Sequence, residues 1–143
     1  MEFYANRTGW FILKLTQTFF FDAAHTLDRT VNVYDHLKSK NIHGHTYHAS
    51  ISIEGEPGEN GMVRDFGDIK HAVDAIRYAL DHEFLDKIPD LGPPTLENLC
   101  FFIAKKLKNI DVCVFRSVRI ATKAAITAFM VANPYGMQPN KLN

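Results

Sequence analysis

His43-Gly44-His45-Thr46-Tyr47-His48-Ala49-Ser50-Ile51-Ser52-Ile53-Glu54 alternates with a period of two. His43, His45, Tyr47, Ala49, Ile51 and Ile53 fall on one face, and Gly44, Thr46, His48, Ser50, Ser52 and Glu54 on the other. That period marks a strand with one buried face, here an apolar face that opens with two histidines. Upstream, Leu13, Leu15, Phe19, Phe21 and His25 take the odd positions of a second strand-like run over 10–25, and His25 closes its apolar face. If the second run returns antiparallel along the first, His25 lies beside His43 and His45. An imidazole among apolar groups has two ring nitrogens to satisfy, and three that converge can do so by binding a metal. Neutral imidazole suits Zn2+, and three protein nitrogens leave a fourth tetrahedral position for water or substrate, the arrangement of a catalytic site. Spacing alone weighs this reading evenly against three ordinary hydrogen-bonded histidines.

Outward from these strands, the pattern lapses over 26–41, where Asp28, Arg29, Asp35, Lys38 and Lys40 suggest a loop. Gly55-Glu56-Pro57-Gly58-Glu59-Asn60-Gly61 is built for turning. Phe66, Ile69, Ala72, Val73, Ile76 and Leu80 form a helical stripe over 65–80. After Pro89-Asp90-Leu91-Gly92-Pro93-Pro94, Thr95 is a good N-cap for a second helix with the stripe Leu96, Leu99, Cys100, Ile103 and Leu107. Cys100 on that stripe reads as a core residue. Val112, Val114, Val118 and Ile120, with Arg116 on the same face, mark a third strand, and Ile126 to Val131 a fourth, with reversal at Ala124-Ala125. The predicted class is α+β, a four-stranded antiparallel sheet with two helices on one face in the order ββααββ. Residues 1–143 read as a single domain with a core over about 10–132, an N-terminal arm over 1–8 and an irregular tail from Asn133.

Composition bounds the partners. Sixteen basic residues balance sixteen acidic ones with no basic run interleaved with aromatics, which argues against nucleic acid. Cys100 and Cys113 form no spaced framework, as expected in a reducing cytoplasm. Trp10 to Leu15 is apolar but short and broken by Lys14, so neither a signal peptide nor a membrane span is expected.

Five ordered motifs carry a resemblance. They are Phe21-Asp22-Ala23-Ala24-His25, His43-Gly44-His45-Thr46-Tyr47, Gly61 to Phe66 (Gly-x-Val-x-Asp-Phe), Leu80-Asp81-His82 with Leu85, and Pro94-Thr95-Leu96-Glu97-Asn98. Each is weak alone, but the ordered set resembles the 6-pyruvoyl-tetrahydropterin synthase and 6-carboxy-tetrahydropterin synthase family over roughly residues 12–123. The resemblance implies the tunnelling fold, a homotrimer or homohexamer with active sites at subunit interfaces, and a small pterin-like substrate. It implies zinc on His25, His43 and His45, and the Asp81–His82 pair as a proton shuttle. Without it, Asp81-His82 reads as a solvated helix end and Glu97 as an ordinary first-turn carboxylate.

Two positions depart from the family. Its general-base cysteine falls at Ser39, and a hydroxyl is far less acidic than a thiol. His36, Asp35 and His48 are the nearby candidates for a replacement, with His48 on the polar face. The family's pterin-anchoring glutamate falls at Thr122, which lacks a bidentate acceptor; Glu97 and Thr95 are expected still to line the substrate pocket. The chain therefore reads as a zinc-dependent pterin-type lyase or synthase acting on a dihydropterin triphosphate or related heterocycle, with the standard activity altered. The competing reading is a non-catalytic pterin- or purine-like ligand-binding protein that keeps the fold and metal, and a third is a vestigial metal site.

Overall fold

The computed structural model describes residues 13–108, 115–122 and 127–131. β1 (Leu13–His25) and β2 (His43–Gly55) form the long antiparallel pair that the alternation predicts, followed by β3 (Phe115–Ala121) and β4 (Thr127–Val131) in the order β1-β2-β3-β4. The register runs from Leu13 opposite Gly55 to His25 opposite His43, with every residue paired. Because side chains alternate, this register sets the odd faces of both strands against the core. On the other face the strands approach closely at Gly44, where a Cβ would sit 3.3 Å from the Ala23 carbonyl oxygen.

α2 (Phe66–Leu80) and α3 (Leu96–Lys108) cover the odd face, α2 against β1 and α3 against β3 and β4. Asp65 caps α2 by accepting from the Gly67 N–H, and the Thr95 hydroxyl accepts from the Asn98 N–H (3.2 Å) at the start of α3. Phe21, Tyr47, Ile76, Leu80, Leu99, Ile103 and Ile120 are fully buried between the layers, each stabilising the fold by roughly 1.5–3 kcal/mol relative to exposure. Cys100 belongs to this core, and burial pushes its thiol up to about 11.

The segment expected to be a loop contains a short helix, α1 (Val33–Ser39). Its cap is reciprocal: Asn32 Oδ1 accepts from the Asp35 N–H (2.8 Å), and Asn32 Nδ2 donates to Asp35 Oδ2 (2.7 Å). Two turns of helix carry too few apolar positions to show periodicity, so the cap was the readable signal. Leu85–Lys87 adds a 3-10 turn. The bend at Ala124-Ala125, the side chains of Val112, Val114 and Arg116, Cys113, the arm and the tail lie outside the described residues or side chains. Among the described residues, no helix is long and apolar enough to cross a membrane.

Candidate metal centre and its cleft

Strand register makes the site. His25 and His43 are direct cross-strand partners, and His45 faces Ala23 two residues along the same side. Ring centroids of the three lie 4.5, 5.0 and 5.1 Å apart, and one nitrogen from each falls within 4.8 Å of the others. Backbone carbonyls fix two of the rings: His25 Nδ1 lies 3.0 Å from the Pro94 oxygen and His43 Nδ1 2.8 Å from the Asn41 oxygen. With Nδ1 donating, each Nε2 carries a lone pair, and His25 Nε2 is buried with no partner among the described residues. That orphaned acceptor beside two further imidazoles fits a metal ion, whose tetrahedral site needs nitrogens roughly 3.3 Å apart, reachable by small side-chain rotations.

Burial and the neighbouring imidazoles disfavour the charged form of His25 and His45. Desolvation lowers the pKa of His25 below 6.5, with His43 adding to the effect while the Pro94 bond and Asp86 oppose it. His45 is lowered by burial and then by His25 and His43. Above 6.5 these two groups are neutral in folded and unfolded chains alike. As pH falls from 6.5 toward the lower folded values, the unfolded chain alone takes up protons, so stability is lost across that window. The metal-free protein is therefore expected to melt at progressively lower temperature as pH falls below 6.5. A metal-loaded sample should show a steeper loss there, because protons also displace the ion. Calorimetry on both forms checks this.

The triad lies in a cleft of about 880 Å³. One wall is Pro93, Pro94, Thr95, Leu96 and Glu97, and Thr122 at the end of β3 also lines it. The other wall brings in residues the sequence reading left in a loop: Asp28, Arg29, Asp35, Lys38 and Ser39. Their charge looks like ordinary solvation in the sequence, and only the fold turns them toward the histidines. Tyr47, stacked on Phe21 at 5.0 Å, also borders the cleft, and its hydroxyl is buried without a partner among the described residues.

Ser39 does not sit as a base. Its hydroxyl donates to the His36 oxygen (3.0 Å) and accepts from the Arg29 N–H (3.1 Å), while its own carbonyl accepts from the Leu27 N–H (2.8 Å). It is a staple between the chain leaving β1 and the end of α1. Ser39→Ala should cost about 1–3 kcal/mol, because a half-buried N–H loses its acceptor, yet change turnover less than tenfold; denaturant melts and steady-state rates together check this. Of the candidate replacement bases, Asp35 is held in the α1 cap and His36 pairs with Asp28 (3.1 Å). His48 lines a separate pocket on the opposite sheet face with Arg119, Thr18 and Ser50, which removes it from the metal cleft.

Asp81 and His82 lie elsewhere. Asp81 ends α2, and its carboxylate accepts from the Asp22 N–H (2.9 Å) and contacts His82 Nδ1 (3.2 Å). The Asp22 N–H holds its pKa below the usual carboxylate value, helped by His82 and Arg77, while desolvation opposes the shift. His82 adopts φ +60°, a left-handed conformation that costs a non-glycine residue about 1 kcal/mol or more. The strain is held by the edge of β1: the His82 N–H donates to the Asp22 oxygen (2.6 Å), the Ala24 N–H to the Glu83 oxygen (3.0 Å), and Ala24 bridges to Phe84. The His82 side chain, 81% exposed, borders a second cleft of about 530 Å³ with Asp22, Thr46 and Glu83. His45 is the one triad member to line both clefts.

Comparison with known proteins gives one consistent result. The sequence profile of the family described as 6-pyruvoyl tetrahydropterin synthase matches residues 14–129. The chain is 38% identical over 134 residues to a 6-carboxy-5,6,7,8-tetrahydropterin synthase of Haemophilus influenzae, covering 76% of this chain and 92% of that protein. It is 36% identical over 89 residues to a dihydroneopterin monophosphate aldolase of Pyrococcus furiosus, covering 62% of this chain and 69% of that one. In fold it is similar to the Caenorhabditis elegans 6-pyruvoyl tetrahydropterin synthase structure, with a TM-score of 0.73 and 24% identity over 85% of this chain and 96% of that one.

Proposed function

The chain belongs to the 6-pyruvoyl tetrahydropterin synthase family, and on that premise we propose that it is a zinc-dependent lyase that cleaves the side chain of a dihydropterin phosphate. The observation that carries the reading is the His25–His43–His45 triad, with its orphaned Nε2, inside a cleft large enough for a bicyclic heterocycle and its side chain. Bound there, zinc supplies a Lewis acid for the side-chain oxygens. Glu97 and Thr95, with Thr122, line the end of the cleft where the heterocycle is placed, and Glu97 offers the carboxylate acceptor that Thr122 cannot.

The proton chemistry decides between the two family reactions. Elimination along the synthase route asks a base to take a proton from carbon, the role the family gives a thiolate; the hydroxyl at Ser39 is already engaged on both sides. Retro-aldol cleavage takes a proton from a side-chain hydroxyl instead, a far more acidic group. The carbon–carbon bond between the two hydroxyl-bearing carbons then breaks, and its electron pair moves into the ring imine. The carbon left on the ring takes back a proton, yielding a hydroxymethyl-dihydropterin and a glycolaldehyde phosphate. His82, oriented by Asp81, suits both transfers. The aldolase relative favours the same route.

His82 does not line the cleft that holds all three histidines, and His45 alone of the triad borders the cleft that His82 lines, so the reading includes an oligomer in which His82 of one copy completes the triad cleft of the next. Exposed apolar residues around α1, namely Val31, Val33, Tyr34, Leu37 and Ile42, and open sheet edges suit such assembly, a homotrimer or a homohexamer in the cytoplasm. The test is mass-spectrometric product analysis with zinc-loaded protein and dihydroneopterin mono- and triphosphate. A hydroxymethyl-dihydropterin product supports the reading. A pyruvoyl or carboxy product would reinstate the synthase route, and binding without turnover would make the protein a ligand-binding member of the family.

A further inference from the structure

We infer that Arg29 and Lys38 form a phosphate subsite at one end of the triad cleft, taking the phosphate ester on a pterin side chain. The inference rests on the pterin reading above. It concerns charges that their described neighbours do not account for.

Both residues line the cleft that holds His25, His43 and His45. They share a rim because the backbone is laced there: Leu27 N–H to the Ser39 oxygen at 2.8 Å and Arg29 N–H to Ser39 Oγ at 3.1 Å hold residues 27–29 along the Lys38–Ser39 turn. The acids of the same rim are already engaged. Asp28 meets His36 Nδ1 at 3.1 Å and Lys40 Nζ at 3.7 Å, and Asp35 takes the Asn32 amide at 2.7 Å. Among the described residues no carboxylate pairs with the Arg29 guanidinium, and the Lys38 ammonium meets only the Tyr34 ring, 5.7 Å from its centroid. A guanidinium fork beside an ammonium is the pairing that recognises a phosphoryl group, the first by bidentate hydrogen bonds and the second as a point charge.

The end of α1 would repel an anion if its carbonyls were bare. They are not: the His36 oxygen takes the Ser39 hydroxyl, the Lys38 oxygen the Asn41 N–H at 3.2 Å, and the Ser39 oxygen the Leu27 N–H. On the opposite wall Glu97 has no hydrogen-bond or ion-pair partner among the described residues. The lining thus combines an acceptor carboxylate, three imidazoles and two cations without a carboxylate partner among the described residues. A ligand with N–H donors on a ring, hydroxyls along a short chain and a terminal phosphate matches that set. The cleft's 880 Å³ admits such a molecule whole. Ser39 acquires a role here: its hydroxyl, where the family has a thiol, places Arg29.

The experiment is calorimetric titration of zinc-loaded wild type, Arg29→Gln, Lys38→Gln and the double variant with dihydroneopterin monophosphate, dihydroneopterin, and inorganic phosphate. Both side chains are exposed, so the variants should fold, and melting curves confirm it. Wild type should bind the phosphate ester at least about tenfold more tightly than dihydroneopterin. Each single variant should lose about tenfold for the ester and under twofold for dihydroneopterin. Equal weakening of both pterins, or no preference in wild type, overturns the subsite. Inorganic phosphate bound as tightly as the ester assigns the cations to free phosphate and overturns the ester assignment. If no pterin binds, the reading beneath the inference has failed. Inorganic pyrophosphate then decides the subsite separately: saturable binding lost in the double variant supports it, and binding that is absent or unchanged overturns it.

Discussion

His43→Ala is expected to abolish stoichiometric metal binding and to lower side-chain cleavage of a dihydropterin phosphate by about 10³-fold or more, the scale of losing the main electrostatic contribution to a transition state. His43 is the cleaner position for this test than His25. His25 is 4% exposed and bonded to the Pro94 oxygen, so its removal also opens a buried gap, whereas His43 lies half-buried at the mouth of the strand pair. His45→Ala should behave like His43→Ala. Metal content by mass spectrometry, on protein purified without a histidine tag, reads the first effect; melting temperature separates metal loss from unfolding. Wild type holding no more zinc than the variants would end the zinc reading, and full turnover by the zinc-free variant would end the catalytic role of the triad.

His82→Ala should leave zinc content unchanged and lower turnover by about 10²–10⁴-fold, the usual worth of a positioned general acid or base. Two outcomes distinguish this from a structural effect. First, alanine at φ +60° is strained just as histidine is, so a loss of activity tracks the imidazole, not the backbone; His82→Gly should relieve strain and stay inactive. Second, because His82 is absent from the cleft that holds the whole triad, His43→Ala and His82→Ala proteins mixed and reassembled should regain activity, since some sites then combine an intact triad with an intact His82. Mixing that restores nothing, with mixed oligomers shown by native mass spectrometry, would argue that one copy supplies both. Asp81→Asn should have a smaller effect: it keeps an acceptor for the Asp22 N–H but removes the charge beside His82 Nδ1.

The residues readable in advance are those whose signal is local. Alternation from His43 to Glu54 and along 13–25 displays strand and buried face together, because a side-chain period of two is a property of extended backbone itself. The stripes of α2 and α3 are legible from their local helical period, as is the cap of α3 at Thr95, whereas Asp65, expected inside the first helix, caps it. Cys100 was placed in the core by its helical phase, and it lies there. α1 leaves no periodic signal in the sequence, because its helix is two turns long and amphipathic in no clear sense, with Val33, Tyr34 and Leu37 exposed.

The amino-acid sequence by itself determined the strands, the two long helices, their order apart from the short α1 between β1 and β2, and the side of the sheet on which His25, His43 and His45 stand. The tertiary structure alone decided that β1 and β2 pair with His25 opposite His43 and that the chain over 26–41 folds back through Ser39 to put Arg29 and Lys38 on the cleft. It also decided that His82 is stitched to the far edge of β1, away from that cleft. The reason is range. Periodicity and capping are written within a turn or two of the chain, whereas strand register and the hydrogen bonds of Ser39, Asp22 and Pro94 join residues 10 to 69 positions apart, and no local pattern specifies which of many possible partners each will meet.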